Sequence, residues 1–305
     1  MKKTTHSPFI FLAIAEMNKA LGMPEPVHPL ITINDHEDIT ADISELSKGV
    51  VMDFYRITYS MQSSGLIRYG QGQYDSKNGG LSFFSPHQLI AKDDDSSECP
   101  SVTLLVHPDF FNGYPLAANI KNYGFFSYRT DEALQLTEKE KETILGVFRN
   151  IRDELDQRLD HFSQDVIISQ IELLLNYSNR FYNRQFITQR SVNHNLLSRM
   201  ENVLENYFRQ KDGLRKGLPT VQFIANELNV SPSYLSDVLR SFTGLNTQQH
   251  LHQKLIEKAK EYLSSDTLTV AEIAYELGFE HPQSFNKLFR NKMNISPLEF
   301  RQSFN

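Results

Sequence analysis

Cysteine is nearly missing from this chain: Cys99 stands alone among 305 residues. A single thiol closes no internal disulfide and cannot by itself supply a zinc site, so nothing points to an oxidising compartment or a thiolate-held metal. Glycine (14) and proline (12) are sparse, charged residues make up 22%, and no long single-residue run occurs. Those shortages exclude collagen, wholesale disorder and a coiled-coil rod. Long apolar runs are absent too, since no stretch approaches the ~18 to 20 apolar residues of a membrane span. The run Phe9 to Ala15 follows Lys2 and Lys3 and ends in Ala13-Ile14-Ala15, a weak imitation of a secretory signal. It leads straight into Glu16, Met17, Asn18 and Lys19, and Phe9, Leu12, Ala13, Glu16, Met17, Ala20 and Leu21 trace a helical face. The expectation is an amphipathic helix in a cytoplasmic protein.

What is present is core material for two domains, with 40% hydrophobic and 11% aromatic residues. Charge is unevenly shared. Residues 1–195 hold 18 Lys and Arg against 25 Asp and Glu, whereas residues 196–305 hold 13 against 12. From Leu30 to about Leu116 the signals are short and strand-like: Leu30 to Ile33, Val50 to Tyr59, Leu81 to Phe84 and Val102 to Val106. Turn clusters such as Ser63-Ser64-Gly65, Asn78-Gly79-Gly80 and Asp93 to Glu98 separate them, which reads as an antiparallel sandwich or barrel. Near Thr137 the period becomes helical. Ile144, Phe148, Ile151, Leu155, Leu159, Phe162 and Val166 form a stripe that Thr137 and Glu140 open as a capping box. A second helix runs to about Gln185 with apolar residues on too many sides for one surface stripe, so the pair 138–186 is expected to bury a face against a second subunit as well as the sheet. Polar residues 188–195 read as the linker.

From residue 196 the chain is helical and duplicated. Val221, Ile224, Ala225, Leu228 and Val230 recur 49 positions later as Val270, Ile273, Ala274, Leu277 and Phe279. Past a turn one residue longer in the second copy, Leu235, Leu239 and Arg240 recur 50 later as Phe285, Phe289 and Arg290. Each copy has a helix bearing Ile-Ala, a short turn and a second helix with a polar outer face, which is helix-turn-helix patterning over 219–242 and 268–292. Alanine lets the helices approach, and Asn229 or Gly278 can take the left-handed turn conformation. Between the copies, Thr247 to Leu263 reads as one helix with Thr247 as its cap, spanning roughly 26 Å. That reach suits two recognition helices about one duplex turn, ~34 Å, apart.

Residues 196–305 resemble the DNA-binding domain of the AraC/XylS family of transcription regulators. The resemblance rests on Ile224-Ala225 with Leu228, Ser231 to Leu235, Arg240 with Thr243-Gly244, Lys254 to Lys260, Ile273 to Phe279, Ser284 to Arg290, Ser296-Pro297 and Phe300-Arg301. Asn294 stands where the family usually has glycine, and asparagine tolerates the same conformation. Upstream, Gly79 to His87 is similar to a strand motif of the cupin-like sensor domains this family places first. The implied architecture is α+β and multidomain: a cupin-like antiparallel β-barrel with a helical pair over 1–187 (barrel about 27–135), a linker at 188–195, and an all-α double helix-turn-helix domain over 196–305. Metal-dependent cupins gather a His-x-His pair and a Glu. No His-x-His occurs among these strands, and His28, His36, His87 and His107 are scattered, so no metal and no cofactor is expected.

The resemblance implies double-stranded DNA as partner, read by one subunit in two successive major grooves. Candidate contacts are Ser231, Ser233, Tyr234, Ser236, Asp237 and Arg240 in the first motif and His281, Gln283, Ser284, Asn286, Lys287 and Arg290 in the second. Ser233, Tyr234, His281, Gln283 and Asn286 suit base edges, while Arg240, Lys287 and Arg290 suit phosphate. Asp237 could accept from a cytosine amino group or hold Arg240 at i+3. Further expected partners are a second copy of the chain, RNA polymerase if the protein activates, and a small organic or peptide effector in the barrel beside Phe54, Tyr69, Phe83, Phe84 and Leu104. Competing classes are an interaction protein without DNA binding, a cupin enzyme, and an alkyl-repair protein with an AraC-like tail. The enzymes are disfavoured by the missing metal ligands and by Cys99 standing alone.

Overall fold

Short β-branched and aromatic runs pair into sheets in the first part of the chain, and long periodic runs fold as helices in the rest. The computed structural model describes residues 8–42, 49–60, 66–69, 72–75, 80–90, 100–129, 132–188, 190–210, 216–265 and 268–303. It divides into two units, Met1–Gln185 and Phe186–Asn305.

In the first unit the strands are β1 (Phe9–Phe11), β2 (Ile31–Asp35), β3 (Val50–Met52), β4 (Tyr55–Ser60), β5 (Leu66–Tyr69), β6 (Gly72–Asp75), β7 (Gly80–Phe84), β8 (Ser101–Val106) and β9 (Leu134–Gln135). Five of them form an antiparallel sheet in the order β2-β8-β4-β7-β9, while β1 pairs with β3 in parallel and β5 with β6 antiparallel. The barrel expectation is met only in its coarser form. Among the described residues the sheet is open, because β9 is two residues long and the chain leaves β8 in tight turns and the short helix α2 (Leu116–Asn119). Phe110, Phe111, Phe125 and Phe126 from these turns cover the sheet instead of extending it; Phe125 lies 4.3 Å from Phe83, ring centre to ring centre.

Two local readings are corrected. Residues 50–59 are not one strand: the chain bends at Asp53, whose N–H donates to Phe11 O and whose carboxylate meets His87 Nδ1 at 2.9 Å. The amphipathic helix at the start is shorter than expected, α1 (Ile14–Ala20), and of its buried residues Ile14, Met17 and Asn18 only Met17 lies on the expected face. Phe9 and Leu12 are exposed, because Phe9 to Phe11 are committed to the ladder with Val50 to Met52. The Glu16 carboxylate accepts from the N–H groups of Leu12 and Ala13, closing the helix start at the end of the strand.

The helical pair is α3 (Glu138–Asp156) and α4 (Ser163–Thr188). Thr137 and Glu140 form the expected capping box. Arg184 clamps α4 to the start of α3, its Nε and Nη2 on the Glu140 carboxylate at 3.0 and 2.7 Å. Ile167, Ile168, Ile171, Leu174, Leu175, Phe181 and Tyr182 are buried within the unit, which accounts for most of the apolar surplus on α4; Phe162, Val166 and Leu173 stay exposed.

The second unit contains α5 (Arg190–Arg209), α6 (Val221–Leu228), α7 (Pro232–Thr243), α8 (Thr247–Ser265), α9 (Val270–Glu276), α10 (Pro282–Met293) and α11 (Pro297–Gln302). Stretch 188–195, expected as a connector, holds the end of α4 at Thr188 and the start of α5 at Arg190. The sequence duplication is a backbone duplication. Thr220 caps α6 and Thr269 caps α9. Asn229 and Gly278 both take positive φ in the turns, and Val230 N–H to Ala225 O (3.0 Å) is repeated as Phe279 N–H to Ala274 O (2.9 Å). Pro232 and Pro282 open the second helices, and Gly244 and Asn294 close them at φ of 73° and 61°. Ile224, Ala225, Leu228, Leu235 and Leu239 are buried, as are Ile273, Ala274, Leu277, Phe285 and Phe289. One cap differs from expectation. Asn246, not Thr247, starts α8: Gln249 N–H donates to Asn246 Oδ1 and Asn246 N–H to Gln249 Oε1, both at 2.9 Å.

Candidate DNA interface

Helices α7 and α10 hold equivalent places in the two motifs but present different surfaces. Pro232 to Thr243 carries one base and one acid, Arg240 and Asp237. Pro282 to Met293 carries Lys287, Arg290 and Lys292 and no acid. A polyanion therefore meets a neutral helix in the first motif and a cationic one in the second.

On α10 the six expected contacts are all exposed. His281 precedes the helix with no side-chain capping bond, Gln283, Ser284 and Asn286 follow in its first turns, and Lys287 and Arg290 lie further along. Among the described residues no hydrogen bond or ion pair holds the side chains of Gln283, Asn286 or Lys287, so their donors and acceptors are available. Asn291 and Lys292 share this exposure and were not among the expected contacts. The excess of cations on this helix is the signal in the sequence that marks Lys292.

On α7 most of the expected contacts have other work. Ser231 is buried and its hydroxyl accepts from Tyr234 N–H at 3.2 Å, as a cap. Tyr234 is only 2% exposed and packs edge-on against Phe186 at 5.4 Å. Its polar hydroxyl made it look like a groove contact, but its position faces inward with Leu235 and Val238. The Ser236 hydroxyl meets the buried Thr247 hydroxyl at 3.0 Å, joining α7 to α8. Asp237 takes the second of its two expected roles, bonding Arg240 Nη1 at 2.8 Å. Ser233, half-buried, and Arg240, whose side chain is 54% exposed, are left facing outward.

The residues expected around an effector fall in the packed core. Phe54, Phe83, Phe84 and Leu104 are buried, and the void beside Phe83 and Phe84 is about 10 Å³, room for one water. The Tyr69 side chain lies outside the described residues. The scattered histidines serve local structure: His28 Nδ1 accepts from Leu30 N–H, and His107 Nδ1 from Asp109 N–H. Burial lowers the His28 pKa.

A helix-turn-helix domain family matches residues 224–303. The Msm operon regulatory protein of Streptococcus mutans is 34% identical over 82 residues, 27% of this chain and 30% of that protein. The HTH-type transcriptional activator RhaS of Salmonella schwarzengrund is 22% identical over 256 residues, 82% of this chain and 86% of that protein. Among solved structures, the C-terminal domain of the two-component response regulator yesN of Fusobacterium nucleatum is 30% identical, covering 35% of this chain and 98% of that one, with a TM-score of 0.31. The family match and the similarity to these regulators show that residues 224–303 carry a helix-turn-helix domain of the AraC type, the DNA-binding domain of a transcription regulator.

Proposed function

We propose that one subunit reads two successive major grooves, with α10 as the principal base-reading helix and α7 as the weaker one. The observation that carries this reading is the repeated backbone frame of the two motifs, joined by the single helix α8 of 19 residues, about 28 Å long. His281, Gln283 and Asn286 read base edges; Lys287, Arg290 and Lys292 hold phosphate. In the first motif Ser233 approaches the bases and Arg240 the backbone, while Ser231, Tyr234 and Ser236 build the frame. Selection of bound sites from random DNA by the purified protein tests this, the expected result being two half-sites about one helical turn apart, with stronger base preference in one.

Residues 1–187 act as a sensor and dimerisation domain of cupin-like type, and 188–195 as the junction. Exposed Phe162, just ahead of α4, and Val166 and Leu173 on it suit a homodimer face. Light scattering on residues 1–190 should give a dimer at micromolar concentration, and a monomer would remove this face from the reading. RhaS is by its name an activator, which supports RNA polymerase as a partner here. A small organic or peptide effector acts on the first unit at a surface other than the packed core around Phe83. Among the described residues no helix is long and apolar enough to cross a membrane, and a cytoplasmic location fits the function.

A further inference from the structure

The two motifs meet backbone to backbone at a pair of glycines. Gly278, in the turn of the second motif, has φ of +95°, and a Cβ built on it falls inside the Gly217 carbonyl group and 2.9 Å from Leu218 N. Gly217, just ahead of the first motif, has φ of +77°. Neither position accepts a side chain without strain, and at Gly278 the obstacle is backbone, which cannot swing aside. The Gly217 carbonyl is itself held: the Tyr207 hydroxyl of α5 donates to it at 2.8 Å. Tyr207 is buried, its ring edge-on to Phe223 of α6 at 5.3 Å. Two residues earlier on α5, the Glu205 carboxylate meets Lys258 Nζ at 2.9 Å and Lys254 Nζ at 3.4 Å, both on α8. One helix thus grips the linker between the motifs and the seat on which they touch.

Beside the seat the motifs are parted. An apolar cleft of about 550 Å³ opens there, with Val221 on one wall, Phe279 and Leu288 on the other, and Leu251 and Leu255 of α8 along its floor. The glycine seat lies beside this cleft and is a contact made of backbone.

We propose that the Gly217–Gly278 seat, pinned by Tyr207, fixes the separation and rotation of α7 and α10, and so the spacing between half-sites that the protein accepts. Tyr207 and the two glycines are positioning residues; they touch no DNA. The inference rests on the two-groove reading above. A one-base-pair change of spacing moves a half-site by ~3.4 Å along the duplex and turns it about its axis, so a small shift at the seat is read as a change in preferred spacing.

The test uses the full chain and the site selected by the wild-type protein, with the spacer between half-sites lengthened or shortened by one or two base pairs. Tyr207→Phe keeps the buried ring and removes the pin. Its expected result is that discrimination between the parental spacer and its neighbours falls roughly tenfold, about the effect of one base-pair mismatch, with base preference inside each half-site unchanged. Gly278→Ala should move the preferred spacer. Wild-type spacing preference in a folded Tyr207→Phe protein, checked by thermal melting, overturns the proposal, as does a change in base preference without a change in spacing. If Gly278→Ala does not fold, Tyr207→Phe decides alone. A wild-type site with a single half-site overturns the two-groove reading, and the seat proposal falls with it.

Discussion

The two helix-turn-helix motifs share their interior and differ on their surface. Every buried position that recurs in the sequence is buried in both copies, from Ile224 and Ile273 to Leu239 and Phe289; a threonine caps the first helix of each motif, and left-handed residues stand at matching places. On the outer face α10 leaves Gln283, Ser284, Asn286, Lys287, Arg290, Asn291 and Lys292 in solvent, whereas α7 spends Ser231 on a cap, Ser236 on Thr247 and Asp237 on Arg240. The frame is under tight physical constraint, because a buried apolar side chain costs several kcal/mol to remove while a surface substitution usually changes stability by less than about 0.5 kcal/mol. Outer positions are therefore the ones at which two copies of a motif can diverge in what they bind.

If the frames are equivalent, matched core substitutions should hurt alike. Ile224→Ala and Ile273→Ala should each cost about 2 to 5 kcal/mol, both side chains being fully buried. Chemical denaturation of the two proteins side by side is the measurement. A cost below ~1 kcal/mol in either would show that the two frames are not packed alike.

The faces should respond unequally. Gln283→Ala or Asn286→Ala should each lose about 1 to 3 kcal/mol of discrimination at particular base pairs, measured by titration against single-base variants of the selected site. Ser236→Ala and Tyr234→Phe should leave base preference untouched, since both side chains face inward. Base-specific loss from Ser236→Ala would return α7 to equal standing with α10.

Charge separates the motifs further. Arg290→Ala should weaken binding similarly on all sequences and reduce the salt slope by about 0.9. Titration at several salt concentrations reads it, and a sequence-dependent loss would move Arg290 from phosphate to a base.

How much of this was legible in the sequence follows the same division. The frame was legible because burial repeats at helical spacing: Ile224, Ala225 and Leu228 and their counterparts announce a packed face, and Asn229 and Gly278 announce left-handed turns. The interface was legible only where no neighbour competes for a polar side chain. Ser236 and Tyr234 look like surface residues until Thr247 and Phe186 are placed against them, and those partners are 11 and 48 residues away. The glycine seat was hidden for the same reason, since Gly217 and Gly278 meet across 61 residues. In the first unit, local pattern found β7 and β8, but α1 was misjudged because the ladder between Phe9 to Phe11 and Val50 to Met52 is non-local.

Acid should loosen the second unit through a contact outside the motifs. The hydrogen bond from Lys258, with Lys254 beside it, holds the Glu205 carboxyl below the ordinary carboxylate value of 4.5. A depressed folded pKa adds stability that is complete above that ordinary value and is lost as pH falls through the folded one. Glu205 is 46% exposed, so screening limits the contribution to under ~1 kcal/mol. Glu205→Gln should be slightly less stable than wild type at neutral pH, with the two melting curves converging in acid. A constant difference at all pH values would exclude the ion pair as the cause.

The smallest expected effect sharpens the comparison most directly. In the first motif Asp237 holds Arg240 at 2.8 Å, with the arginine side chain still 54% exposed. An exposed pair of this kind adds only about 0 to 1 kcal/mol to folding, so Asp237→Asn should leave the melting temperature nearly unchanged. Its effect on DNA should have the opposite sign to that of Arg290→Ala. Removing the acid takes a negative charge away from the duplex and leaves Arg240 for phosphate, so affinity should rise a few-fold on all sequences and the salt slope should steepen by up to about 0.9. The alternative role of Asp237, accepting from a cytosine amino group, gives a different signature: Asp237→Asn would then alter preference at one base pair and leave the others as they were. Titrating this variant against single-base site variants at two salt concentrations separates the two roles. A uniform gain makes α7 a copy of α10 restrained by its own carboxylate, and a one-position change gives it a reading function of its own.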